Sequence, residues 1–527
     1  MTATIDTATT IETNDETLMR LDPNIIEIGR NCRTTVELPL AKEFVESVRT
    51  QGVLLAVTAI ELADGTISLR DGQRRVLAAR EAALASIPVL VRPDRAADDK
   101  TREFERISHQ VVANDQREDL TAGDRAAAVA DMLELGFSVT KVAKAVSMPR
   151  EQVKANGVIG KSDKARAAFE AGQLDMDKAA ILAEFDAAGD SDAVEELLSN
   201  GRWNFRFTAE RLRNDRAEKA ARADAAQPYA VMGYTILTEE PDYARDLLLA
   251  DLVHTEGGEV TEADTENDPT KWAVWLTQAE HYVDTASGEE IDAESVDWGT
   301  EDDDEATPAE GYRHANTVQV RQVWVPEYVC LDSEGAGVAL SPILAAARTV
   351  APAEDGMSGE DAAVAAARRE TEEKAQARKE RRQVIALNKQ AVAATTVRRD
   401  FLRTLLTRKT PPKSAAKFVA ATLAADPRLL TEHKAGEVVG EILGNSGIAT
   451  SEALVTMVDK ASDNRAQVIT LALVLAGLEA RMVKDAWRWR PQGSAGYFAF
   501  LAENGHTLTE VEEVIARTRT ADQVALD

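Results

Sequence analysis

The chain has 527 residues, with 90 Asp and Glu against 61 Lys and Arg and a formal charge of -29, which argues against non-specific binding of nucleic acid by the molecule as a whole. Its composition is 44% hydrophobic and 29% charged with a mean hydropathy of -0.28, and no apolar run is long enough to cross a bilayer. Residues 1–17 read as a solvated tail without a secretory layout, and Cys32 and Cys330 lie too far apart to form a disulfide framework or a Cys-x-x-Cys metal site, so the expectation is a cytoplasmic protein.

The first ordered unit is expected to start near Leu21. "LPLAKEFVESVRTQG" places Leu40, Phe44, Val45 and Val48 at helical spacing, with Gly52 positioned to end the helix. "VLLAVTAIEL" and "TISLR" read as two strands joined at Asp64-Gly65. "DGQRR", residues 71–75, then turns into the helix "RRVLAAREAAL", and "IPVLVRP" is a further strand. Arginine forks match phosphate oxygens, and a glycine ahead of a helix lets backbone N–H groups approach an anion. The competing reading is that Arg74 and Arg75 cap or pair with surface carboxylates.

From about 120 to 222 the pattern is helical throughout. Residues 137–170 carry seven Lys and Arg against three Asp and Glu, a local reversal of the overall charge. Val139, Val142, Ala143 and Val146 form one apolar face. "SMP" breaks that helix, with Ser147 expected as a cap and Pro149 in the next first turn, and "REQVKANGVI" begins a second helix with Val153 facing inward. Two helices joined so tightly describe a helix-turn-helix, which also occurs in plain bundles. If it reads DNA, the exposed candidates are Thr140, Lys141, Ser147, Arg150, Glu151, Gln152, Lys154 and Ala155, followed by Lys161 and Lys164.

Residues 239–311 hold 24 Asp and Glu against Arg245 and Lys271 alone. Strand-like runs ("YAVMGYTIL", "VQVRQVWVPEYV") and Trp272, Trp275, Trp298 and Trp324 point to a small mixed core. The acidic surface reads as a solvated face, a repellent for DNA or a docking surface for a basic partner, the first being favoured. A zinc site could be drawn through His254, His281, His314 and Cys330, but no pair has short ligand spacing. Residues 351–382 start as a linker and become a charged helix without an apolar stripe. From 384 onwards amphipathic pieces predict an independent helical bundle. "DAWRWRP" could stack on bases or a partner, although Trp487 and Trp489 beside a helix end more often pack on the bundle.

Five pieces, "LAKEFVESVRTQGVLLAVTAI", "DGQRRVLAAREAALASIPVLVR", "NDQREDL", "MLELGFSVTKVAKAVSMPREQVKANGVIG" and "AFEAGQLDMDKAAIL", follow one another in an order and spacing that resemble the ParB/RepB/KorB family of partition proteins over about the first 200 residues. The resemblance implies a cytidine triphosphate pocket built from Arg33, Gly52, Gly72, Gln73, Arg74, Arg75, Asn114 and Arg117. It also implies a homodimer that binds double-stranded DNA at a palindromic site, a nucleoid- or plasmid-associated location, and a ParA-type ATPase as partner. Three departures stand out. Gln73 and Ala113 replace family glutamates associated with turnover and with Mg2+, and an amide or a methyl cannot do that work, which argues against hydrolysis beyond a weak CTPase. The same changes argue against a nuclease. Ala56 stands where the family tends to have proline, and "MDKAA" replaces Gly-His-Ala-Arg, which moves one DNA contact to Lys178 or removes it.

The expected fold is α+β and predominantly helical. It comprises a tail (1–20), a ParB-like nucleotide-binding α+β domain (21–119), an all-α helix-turn-helix domain (120–222), an acidic mixed α/β domain (228–340), a linker with a charged helix (341–383) and a helical C-terminal domain (384–527). The expected function is site-specific DNA binding in plasmid, phage or chromosome partition. The alternative is a KorB-like transcriptional regulator without a motor partner.

Overall fold

A computed structural model describes residues 16–29, 41–115, 120–199, 201–243, 245–300, 306–342, 344–345, 359–432, 434–444 and 451–524. The chain divides into two units, Met1–Phe205 and Arg206–Asp527. As expected, it is a predominantly helical α+β protein.

The first unit opens with β1 (Thr17–Leu21), β2 (Ile26–Glu27), α1 (Lys42–Gln51), β3 (Val57–Glu61), β4 (Ile67–Asp71), α2 (Gln73–Glu81) and β5 (Ile87–Pro93). The sheet order is β1-β5-β3-β4-β2. Alternation places Val57 and Ala59 of β3 and Ile87, Val89 and Val91 of β5 in the core, against Val45 and Val48 of α1 and Val76 and Ala79 of α2. The β3–β4 hairpin turns at Asp64-Gly65 as expected, with Gly65 at φ 83 and the Asp64 carboxylate accepting the Thr66 N–H at 2.9 Å. The tail expected to run to residue 20 is shorter, because Thr17–Leu21 pairs antiparallel with β5 along its whole length. Its residues are mostly exposed, so this edge strand lacks the buried alternation that would reveal it.

Next come α3 (Asp99–Asp115), α4 (Ala122–Glu134), α5 (Val139–Ala145), α6 (Arg150–Ile159), α7 (Asp163–Glu170), α8 (Met176–Ala187), α9 (Ser191–Ser199) and α10 (Gly201–Met232), the last broken at Asn204. Thr121, Ser138, Ser162 and Asp175 each accept the backbone N–H three residues on, so four of these helices start on a side-chain cap. Phe104, Ile107 and Val111 of α3 are buried with Val129, Met132, Val142 and Val153. By packing, α3 joins the helices, although the expected boundary at 119 left it with the sheet.

In the second unit two thirteen-residue strands, Trp272–Asp284 and Val318–Cys330, pair antiparallel throughout. Trp272, Val274, Tyr328 and Cys330 form their core with Ala226 of α10. "VQVRQVWVPEYV" is therefore a strand, but most of "YAVMGYTIL" is not. The helix α10 continues to Met232 and stops at Gly233 (φ 100), leaving only Thr235–Ile236 extended. The Arg222 guanidinium carbon stands 4.1 Å from the Trp275 ring centroid and 5.4 Å from that of Trp324. Its partner Glu218, at 2.7 Å, also takes Lys389 Nζ at 2.5 Å, which joins sheet, α10 and the long helix Gly359–Leu406. His254 pairs with Asp264, His281 pairs with Glu290, His314 accepts the Asn316 N–H, and Cys330 is buried. Among the described residues no group of three or more His, Cys, Asp or Glu could hold a metal. None of the helices there is long and apolar enough to cross a membrane.

The C-terminal bundle packs around Asp463–Ala480, the helix with the most buried residues. Its centre is ionic as well as apolar. Arg398 is 1% exposed, bonds Glu479 at 2.7 and 2.9 Å and Glu512 at 2.8 Å, and Tyr497 and His506 complete the carboxylates at 2.6 and 3.1 Å. Burial alone would lower the Arg398 pKa, but the Glu479 and Glu512 charges hold it well above the ordinary arginine value. A buried cation of this kind is tolerated only with its anions in place. Arg398→Met should therefore strand two buried carboxylates and cost about 3–5 kcal/mol of bundle stability. Urea unfolding of the full chain followed by circular dichroism measures this.

Candidate nucleotide turn and nucleic-acid interface

The "DGQRR" turn is built by the sheet. Thr58 faces Asp71 and Ala59 faces Leu69, so Arg70 is an extra residue in β4 and the bulge re-aims Asp71 at the strand end. Gly72 then caps α2 in the left-handed region (φ 102, ψ 26) with no side-chain cap bond. A Cβ there would meet Val57 Cγ1 at 2.6 Å, so both backbone angle and space require glycine. Gly72 has no side chain with which to cap the nine-residue α2, and two arginines flank the helix start.

The two arginines are not equivalent. Arg75 Nη1 donates to the Leu55 and Ala56 carbonyls at 2.9 and 2.8 Å, and its Nη2 meets Asp71 Oδ2 at 3.0 Å. It therefore ties the turn to the segment after Gly52, which ends α1 at φ 75. Arg74 is exposed, with its guanidinium 5.5 Å from the Phe44 ring centroid, a weak contact at an exposed site. Of the two guanidinium groups, that of Arg74 is the exposed one. Of the expected surface-pairing alternative, Arg75 fits the description, and among the described residues Arg74 has no carboxylate within ion-pair distance. Gly52, Gly72, Gln73, Arg74 and Arg75 come together here. Arg33 and Arg117 fall outside the described residues, and Asn114 lies by its backbone in the last turn of α3. Asp71 and Phe44 were not among the expected residues; the Asp71–Arg75 spacing of four, across a helix start, was the available signal.

The helix-turn-helix is α5 and α6. Val142 and Val153 are fully buried and Val146 nearly so, while Thr140, Lys141, Arg150, Glu151, Gln152 and Lys154 are exposed. Ala155 is half-buried, and Asn156 is buried with its amide on the Gln152 carbonyl at 2.8 Å, so neither extends the outer face. Ser147 is exposed but does not cap α6. It sits at φ 53 in the turn, and the cap residue is Pro149, without a side-chain bond.

Many of the basic residues already have carboxylates nearby. Lys154 lies 2.9 Å from Glu151, Lys161 3.7 Å from Glu134, Lys164 3.8 Å from Asp186 and Lys178 3.3 Å from Asp175. Lys178 is also half-buried. Lys141 covers the Phe137 and Phe104 rings at 4.1 and 5.0 Å. Arg150 and Lys144 are exposed, with no carboxylate within ion-pair distance among the described residues. Lys144 was not among the expected contacts, although it lies on the same helix as Thr140 and Lys141.

No family model matches the chain. Curated relatives do. A probable chromosome-partitioning protein ParB of Coxiella burnetii is 27% identical over 186 residues, 34% of this chain and 61% of that protein. One of Pseudomonas putida is 27% identical over 198 residues, 36% and 64%, and the chromosome-partitioning protein Spo0J of Thermus thermophilus is 29% identical over 161 residues, 30% and 57%. The chain spans less than two thirds of the length of these relatives. A crystal structure of Caulobacter crescentus ParB complexed to the centromeric parS site aligns at 19% identity over 36% of this chain and 96% of that one, with a TM-score of 0.25, too loose to add to the sequence relatives. The resemblance carried by the motifs is thus borne out: over the matched stretch the chain is similar to chromosome-partitioning proteins named ParB and Spo0J.

The Ser147 geometry is testable. A left-handed non-glycine residue costs about 1–2 kcal/mol, partly offset by the unfolded-state entropy of glycine. Ser147→Gly should raise stability by about 0.5–1 kcal/mol in urea unfolding. A decrease would mean that the serine side chain contributes more than its backbone costs.

Proposed function

We propose that the chain is a site-specific double-stranded DNA-binding protein of a partition system, serving a chromosome, plasmid or phage. It reads a palindromic site as a homodimer through α6 and works with a ParA-type ATPase. The observation that carries this reading is the outer face of α6, where Arg150, Glu151, Gln152 and Lys154 stand exposed over a buried Val153 anchor, in a stretch related to chromosome-partitioning proteins. Gln and Arg at such positions pair with base edges, and Glu accepts from cytosine N4.

The α2 turn supports a phosphate-bearing ligand, which the family resemblance makes CTP. The start of α2 and Arg74 would hold its phosphates, while Arg75 and Gly72 keep the turn in shape. The donor set fits an anion better than a metal. Asp71 is the one carboxylate of the turn and is paired with Arg75, and position 73 carries an amide. The proposed pocket therefore binds and does not turn over its ligand, acting as a switch on DNA binding.

Calorimetric titration with CTP, ATP and GTP, followed by phosphate release, tests this. CTP alone should bind, with no release above background. Arg74→Ala should weaken that binding at least tenfold and leave DNA recognition intact, whereas Arg75→Ala should destabilise the domain. Binding of no nucleotide would leave a DNA-binding regulator of the KorB kind. Arg150→Ala should reduce the salt slope of binding to the cognate site by roughly 1. An unchanged slope and affinity would remove Arg150 from the interface.

A further inference from the structure

In the second unit the acidic segment and the long helix Gly359–Leu406 together line a cavity of about 320 Å³. Leu248, Leu249, Pro326 and Ile385 give it an apolar lining, and Tyr243 and Tyr328 add aromatic rings. Glu240, Glu262 and Glu327 bring three carboxylates to the same space. An apolar concavity of this size with a few polar groups suits a small organic molecule.

The charge of the cavity decides what kind of molecule. Glu327 is half-buried and its Oε2 accepts the Tyr243 hydroxyl at 2.7 Å. Among the described residues no Lys, Arg or His stands within ion-pair distance of Glu327 or Glu262. Two arginines of the long helix also line the space. Arg382 lies 3.9 Å from Glu240 and 5.9 Å from the Tyr243 ring centroid, so its charge is set against Glu240, and Arg381 is exposed. The potential at the rings is negative. Burial first, then Glu327 and Glu240, hold the Tyr243 phenol above the ordinary tyrosine pKa, and burial followed by Glu262 does the same to Tyr328. The surroundings act in the same direction, with 24 Asp and Glu against two basic residues from 239 to 311. A cation is therefore favoured over an anion. Among the described residues no three carboxylates converge as a metal site would require, which leaves an organic cation.

We propose that this cavity binds a small aliphatic diamine or polyamine, with one ammonium group on Glu327, the methylene chain along Leu248, Leu249 and Pro326, and a second ammonium group on Glu262. An ammonium donates three hydrogen bonds, and Glu327 has lone pairs left beside the one that Tyr243 uses. The tyrosine faces favour a cation as well. Methylenes cover apolar lining that a hydrated metal ion would leave bare. A ligand with two charges engages both carboxylates, whereas a monoamine of the same length engages Glu327 alone. The inference does not depend on the DNA and nucleotide functions proposed above.

The experiment uses the full chain. Calorimetric titration with putrescine, spermidine, n-butylamine and glutarate is run at about 0.15 M KCl, where exposed charges are screened beyond about 8 Å. Putrescine and spermidine should saturate one site and bind more tightly than butylamine, and glutarate should not bind. Glu327→Gln keeps a carbonyl for the Tyr243 hydroxyl and should weaken all three amines about tenfold or more. Glu262→Gln, at an exposed position, should weaken putrescine and spermidine by about two- to fivefold and leave butylamine unchanged. Circular dichroism should match wild type for both variants. E256Q/E259Q removes two exposed carboxylates that do not line the cavity, and should bind like wild type. Absence of saturable amine binding overturns the proposal. So does equal weakening by E256Q/E259Q, which would make the binding a diffuse counterion effect. Tighter binding of glutarate than of putrescine also overturns it, by assigning the cavity to Arg381 and Arg382.

Discussion

In a chain with 90 acidic and 61 basic residues, a cation can serve a ligand only where the fold has kept carboxylates away from it. The "DGQRR" turn shows this at the scale of adjacent residues. Arg75 has a carboxylate and two carbonyls within 3.0 Å and is occupied in shaping the backbone. Arg74, one residue earlier at the helix start, is exposed, and among the described residues it meets the Phe44 ring and no carboxylate within ion-pair distance. The β4 bulge makes the distinction, because it directs Asp71 towards Arg75.

The same competition organises the interior. Arg398 is stable in the bundle because two buried glutamates surround it, and those glutamates are tolerable because Arg398, Tyr497 and His506 satisfy them. Arg222 combines both solutions, with a carboxylate at one edge and indole faces against the guanidinium. Such residues say nothing about ligands. They account for where much of the chain's positive charge resides and leave the exposed, unpaired remainder as the informative part.

Much of the first unit could be read from the sequence because its signals are local. The α1 period, Gly52, the Asp64-Gly65 turn and the inward Val142 and Val153 depend on neighbours within a few residues. What stayed hidden depends on remote pairing. The strand β1 has no buried face and exists because β5 offers an edge. Ser147 resembles a cap in sequence but is held at positive φ by the helices on either side. Arg74 and Arg75 are identical letters, and only the path of Leu55 and Ala56 separates their roles. Conversely, the aromatic-rich run 318–329 formed its strand because both faces of the long hairpin suit such residues.

Pairing also shapes what α6 can do with DNA. Glu151 next to a phosphate would be repelled, and the 2.9 Å contact with Lys154 cancels that charge while leaving the glutamate oriented outward. This face is close to neutral, so on the proposed function the energy it draws from a duplex would come more from base edges than from counterion release. Base contacts alone position a helix poorly, because phosphate contacts set register and orientation. On the proposed function, Arg150 at the leading edge and Lys144 on α5 are the cations placed to supply that grip. A near-neutral reading helix with unpaired cations at its margins favours discrimination over general affinity, which is the balance an acidic protein needs to find one site among many.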